Sequence, residues 1–124
     1  MAKTILVVDD SATMTLSLKS SLELNGFKVD SAPDGFAALE KLKRGLKPDL
    51  IITDINMPRM DGMELIRQVK ALPGMRFTPI LTLTTESDSR KRDECKKLGA
   101  TGWLVKPVSG PDLVKIVKQV VIGA

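Results

Sequence analysis

The sequence holds no histidine and no tyrosine, and only one cysteine, one tryptophan and three phenylalanines in 124 residues. Without histidine there is no imidazole-built zinc site and no histidine acid–base catalysis. The lone Cys95 allows no internal disulfide, which fits a reducing, cytoplasmic setting. With so few aromatics the core must come from Leu, Ile, Val, Met and Ala, and the stacking platforms of single-strand nucleic-acid binders are missing. No apolar run approaches the ~20 residues that cross a bilayer. The N-terminus meets Asp9 and Asp10 after an apolar stretch too short for a signal-peptide core. There is no glycine-rich phosphate loop. The expectation is one soluble domain over residues 1–124, monomeric, with no membrane or nucleic-acid partner.

The formal net charge is +4, and the sequence pI is about 9.3. Lys and Arg are spread along the chain apart from one cluster at Arg90, Lys91, Arg92, Lys96 and Lys97. A solvated helix face is the simplest reading of that cluster.

Two kinds of segment alternate along the chain. TILVVDD (4–10) is a β-branched apolar run, followed by a helical stretch in which Met14, Leu18 and Leu22 recur at four-residue spacing. Ser11 is its N-cap and Gly26 its stop. FKVDSA (27–32) is a second strand, Asp34 caps a helix ending at Gly45, and LIITD (50–54) is a third strand. DGMELIRQVKAL (61–72) opens with Asp61 and Glu64 in a capping-box arrangement. PILTLTT (79–85) is a fourth strand, residues 87–100 a charged helix stopped by Gly99, and GWLVKP (102–107) a fifth strand. The last helix (109–121) carries Ser109 as cap and Pro111 in its first turn. Five strand–helix units with short connections predict an α/β fold: a doubly wound, five-stranded parallel sheet with helices on both faces.

In such a sheet the functional cleft lies beyond the carboxyl ends of the strands. Those ends carry Asp9 and Asp10, then Asp54, then Thr84 and Thr85, then Lys106. A single Asp after a strand is most often a turn former or helix cap, the reading that suits Asp34 and Asp61. Three acids and a lysine gathered at one edge ask for more. A hard oxygen-preferring cation such as Mg²⁺ relieves their repulsion. A carboxylate can itself attack phosphorus, and phosphoryl transfer needs mainly positioning and charge neutralisation. The set reads as a site where one Asp is phosphorylated.

The pieces ILVVDDS, PDLIITDINMPRMDG, TLTTES and GWLVKP, in that order, resemble the receiver domain of bacterial two-component response regulators, most of all stand-alone receivers of the chemotaxis CheY type. The resemblance implies the flavodoxin-like (βα)5 fold with strand order 2-1-3-4-5. It makes Asp54 the phosphoacceptor and Asp9 and Asp10 the acidic pair that holds Mg²⁺, Asp10 directly and Asp9 partly through water. Asp54 and the backbone carbonyl of Asn56 complete the protein ligands. Lys106 contacts the phosphoryl group, and its bond to Pro107 is cis. Thr84 is the switch hydroxyl and Trp103 the switch aromatic, so phosphorylation reshapes the surface of the fourth helix, fifth strand and fifth helix. The implied partners are a CheA-like histidine kinase and a target such as the flagellar motor switch. The chain ends soon after its fifth helix, so output by protein docking is expected. Val114, Val117 and Val121 repeat at helical spacing on that helix, for which core packing is the more common explanation and a docking stripe the alternative.

Departures are visible. Position 55 is Ile where some chemotaxis members have Trp. Position 85 is Thr where a smaller residue is usual, which narrows access to Asp54. Asn56 and Glu86 occupy positions that tune phosphoryl lifetime, and the basic pI is unusual for the family. Competing readings are a Mg²⁺-dependent phosphatase or nuclease using the same acids, and a receiver that acts as a phosphate sink or only binds partners. A haloacid-dehalogenase-type phosphatase wants a second Asp two residues after the nucleophile, where this chain has Asn56.

Overall fold

The computed structural model describes residues 2–57, 60–85, 89–106 and 108–121. Strands and helices alternate as β1 (Thr4–Val8), α1 (Ala12–Leu24), β2 (Lys28–Ala32), α2 (Gly35–Lys43), β3 (Leu50–Thr53), α3 (Gly62–Ala71), β4 (Ile80–Thr84), α4 (Ser89–Leu98), β5 (Gly102–Val105) and α5 (Gly110–Val120). The strands form one parallel sheet in the order β2-β1-β3-β4-β5. This is the expected flavodoxin-like topology. No helix among the described residues is long and apolar enough to cross a membrane.

The near-continuous apolar runs of β1, β3 and β4 occupy the three central positions, covered on both faces. Side chains alternate between two cores, as the two-residue period of a strand demands. Leu6, Val8, Ile51 and Ile80 pack with α2, α3 and α4. Ile5, Val7, Leu50, Ile52, Leu81 and Leu83 pack with α1 and α5. Each fully buried Leu or Ile contributes about 1.5–3 kcal/mol of transfer free energy. The edge strands β2 and β5 are only part-buried, which explains their polar residues.

The caps read from sequence are formed. Ser11, Asp34, Asp61 and Ser109 each accept a backbone N–H three residues on. The expected reciprocal half of the Asp61–Glu64 box differs: the Glu64 carboxylate turns outward to Arg67 and Gln68. Gly99 ends α4 at φ +111°, a left-handed conformation open to glycine and costly for other residues.

The strands are shorter than the apolar runs suggest, β1 stopping at Val8 and β3 at Thr53, each just before its acid. Phe27 is buried, yet its N–H donates to the Leu22 carbonyl at the end of α1, so it closes the helix and leaves the ladder. Thr85 lies past the end of β4 and is exposed, and Lys106 follows β5 with its N–H on the Thr84 carbonyl. Core packing, not a docking stripe, accounts for Val114, Val117 and Val121: all three are buried in the α1–α5 core. Their spacing follows the helix period because that face of α5 lies on the sheet, while Lys115 and Lys118 face solvent.

Candidate functional site

Parallel pairing decides what meets at the carboxyl edge. Val8 lies opposite Thr53, so the next residues, Asp9 and Asp54, leave neighbouring strands side by side. The Asp54 N–H donates to the Val8 carbonyl at 2.9 Å, carrying the ladder one step further. Thr84 lies opposite Val105, which places Lys106 just beyond β4. From β5 the Lys106 side chain reaches across to the ends of β3 and β1. Its Nζ donates to Asp9 Oδ2 at 3.0 Å and to Asp54 Oδ2 at 3.1 Å.

Each carboxylate is held at its second oxygen by local backbone. Asp9 Oδ1 accepts the Ser11 N–H at 2.9 Å, and Asp54 Oδ1 accepts the Asn56 N–H at 3.2 Å. Both acids are nearly buried, at 4% and 8% exposure, whereas Asp10 is exposed. One carboxylate oxygen from each of Asp9, Asp10 and Asp54 lies within 4.8 Å of the others. Lys106 bridges two of the three, so the cluster keeps excess negative charge. Convergent, hard oxygen donors with uncompensated charge fit a divalent cation with oxygen preference. Burial pulls the Lys106 ammonium down, but its hydrogen bonds to Asp9 and Asp54 and their charges outweigh this and hold its pKa above the usual lysine value.

The cluster is built by sequence-distant residues, and its order along the chain can be compared with known families. The profile of the response regulator receiver domain matches residues 5–118. The chain belongs to that family. The chemotaxis protein CheY1 of Helicobacter pylori is 37% identical over 120 residues, covering 96% of each chain. CheY-3 of Vibrio cholerae is 36% identical, covering 88% of this chain and 84% of its own. Among solved structures, Vibrio cholerae CheY4 superposes with a TM-score of 0.91 at 41% identity, covering 97% of this chain and 99% of its own. A putative response regulator from Chloroflexus aurantiacus superposes at 0.90 with 33% identity, covering 98% of each chain.

Within this receiver domain the sequence-predicted residues separate into groups. Asp9, Asp54 and Lys106 are in direct contact, and Asp10 is within metal-sharing reach. Thr84 is fully buried at the end of β4, beside the strand that leads into Lys106. Asn56 is exposed, with its N–H on the Asp54 carboxylate. Trp103 is half-buried, pairs in register with Thr82 and packs against the core shared by α3 and α4. It also lines a groove with Arg92, Cys95, Lys96, Ile116 and Val120, away from the acids. Ile55, noted as a departure, is 1% exposed and belongs to the core beneath the site. Pro58, Glu86 and Pro107, with the expected cis bond at Lys106–Pro107, lie outside the described residues. Sequence reasoning missed one supporting residue: Gly62, the first residue of α3, is buried against the backbone of Asp54 and Ile55.

Proposed function

We propose that this receiver domain is a phosphorylation-controlled switch in a two-component phosphorelay, with Asp54 as the phosphoacceptor. The observation that carries the reading is the Lys106 bridge between Asp9 and Asp54, which unites the ends of β1, β3 and β5 around one carboxylate. The Asp54 carboxylate attacks the phosphorus of a phosphohistidine on a CheA-like histidine kinase. A P–O bond forms as the P–N bond breaks, and the imidazole leaves with the electron pair. Asp9, Asp10, Asp54 and the Asn56 backbone carbonyl would hold Mg²⁺, which would supply charge neutralisation for the phosphoryl oxygens.

Lys106 then passes a hydrogen bond from the carboxylates to a phosphoryl oxygen, and the Thr84 hydroxyl turns to another. Movement of Thr84 frees space that Trp103 enters, so the α4–β5–α5 surface records the phosphorylation. That surface is basic: α4 alone carries Arg90, Lys91, Arg92, Lys96 and Lys97 against Asp93 and Glu94. It suits an acidic docking partner steered by charge. The chemotaxis relatives make a motility target such as the flagellar motor switch the leading candidate for that partner. Water attacking the acyl phosphate at the same site returns the switch to rest. Asn56 in place of a second carboxylate leaves the phosphatase reading without its general acid.

The test is incubation with acetyl phosphate and Mg²⁺, followed by mass spectrometry. An alkali-labile phosphoryl adduct is expected on the wild type and none on Asp54→Asn. Equal labelling of the two proteins would falsify the assignment. Release of phosphate from added esters with no adduct would favour a phosphatase.

A further inference from the structure

The first residue of α3 touches the backbone of the residue that ends β3. A Cβ placed on Gly62 would overlap the Asp54 carbonyl oxygen and stand 2.8 Å from Ile55 Cα. The Gly62 N–H donates to the Ile55 carbonyl at 2.8 Å. The Thr53 hydroxyl donates to the same Asp54 carbonyl at 2.9 Å, so this peptide is held from two directions. At the start of α2 the crowding is softer. A Cβ on Gly35 would meet only the flexible side chain of Met60, its Sδ at 2.8 Å. At Gly62 the opposing atoms are mostly main chain and have no rotamer by which to withdraw.

We propose that Gly62 is a positioning residue for Asp54. Its missing side chain lets α3 begin directly against the Asp54–Ile55 peptide. That contact fixes the direction of the Asp54 carboxylate and of the Asn56 backbone beside it. The inference rests on Asp54 being the phosphoacceptor, and it concerns alignment: a displacement near 1 Å can cost a reaction on the order of 10²-fold.

The experiment compares Gly62→Ala with Gly74→Ala. Gly74 has φ +80° and nothing within 4 Å of an added Cβ, so alanine there strains the backbone without touching the site. Thermal stability in EDTA, the rate of labelling by acetyl phosphate and Mg²⁺ affinity from Trp103 fluorescence are measured for both. Amide NMR shifts of residues 54–56 in the metal-free protein give a readout independent of activity. Gly62→Ala is expected to label about 10²-fold more slowly, bind Mg²⁺ more weakly and shift those amides. Gly74→Ala is expected to lose stability and label at the wild-type rate. If Gly62→Ala does not fold, the same measurements are made on Gly62→Ala with Ile55→Val, which removes the Ile55 Cδ1 at 3.0 Å and leaves the backbone contact. A labelled wild type with an unimpaired Gly62 variant overturns the positioning role alone. An unlabelled wild type overturns the phosphoacceptor reading on which it rests.

Discussion

Lys106 Nζ stands 3.1 Å from Oδ2 of Asp54, 52 residues earlier in the chain, and the same ammonium holds Asp9. The pair is largely shielded, with side chains 14% and 10% exposed. Removing the cation strands two nearly buried carboxylates. Lys106→Met is therefore expected to destabilise the protein in EDTA by about 3 kcal/mol. Saturating Mg²⁺ should recover part of the loss, and Mg²⁺ should bind more tightly because a competing cation is gone. Labelling of Asp54 should nonetheless slow. Urea unfolding with and without Mg²⁺ checks the first two outcomes, and labelling rates the third.

Asp10 contributes a third anion that Lys106 does not bridge. Asp10→Asn relieves like-charge repulsion and should raise metal-free stability by up to about 1 kcal/mol. The same change should abolish most of the stabilisation given by Mg²⁺. A thermal shift that rises equally with Mg²⁺ in both proteins would remove Asp10 from the ligand set.

At the sheet edge, Lys41 Nζ lies 2.5 Å from Asp30 Oδ1 and also binds the Ser31 carbonyl. The Lys41 hydrogen bond, opposed by burial, holds the Asp30 carboxyl below its ordinary value of 3.8. A depressed carboxyl pKa gives stability that is fully present above the unfolded value and lost as pH falls through the folded one. The pair is partly exposed, so its worth is at most about 1 kcal/mol. Lys41→Met should lower stability at pH 6 and flatten the acid limb below pH ~4. Denaturation midpoints measured from pH 6 down through the range below pH ~4 decide it.

Val117 is fully buried in the core between α5 and the sheet. Val117→Ala should cost about 2 kcal/mol through lost burial and the cavity left behind. A change that weakened partner binding with no loss of stability would restore the docking stripe.

The Cys95 thiol is 1% exposed. Burial, with Glu94 and Asp61 nearby, pushes its pKa up to about 11. At pH 8 the folded protein should not react with a small aromatic disulfide, and urea should release one equivalent of reactive thiol. Rapid reaction in the native state would show that α4 opens readily.

Much of this architecture is legible locally. The caps Ser11, Asp34, Asp61 and Ser109 depend on side chains bonding amides three residues away, so sequence spacing is enough to find them. The apolar runs of β1, β3 and β4 mark them as central strands, because burial on both faces favours apolar, β-branched side chains along their length. Asp9, Asp10, Asp54, Thr84 and Lys106 stood out because alternating elements put strand ends at one edge.

Other features belong to the three-dimensional arrangement. Periodicity shows that Val114, Val117 and Val121 share a face of α5, but only docking on the sheet turns that face inward. Phe27 has the composition of a strand residue, yet the end of α1 captures its amide. The glycine that opens a helix looks ordinary in sequence until α3 is laid against the Asp54 carbonyl. The sequence by itself determined the alternation, the caps and the identity of the charged residues, all short-range properties. Tertiary structure decided which oxygens Lys106 bridges and which glycine must remain bare, because register and crossover set distances between residues that local chemistry never relates.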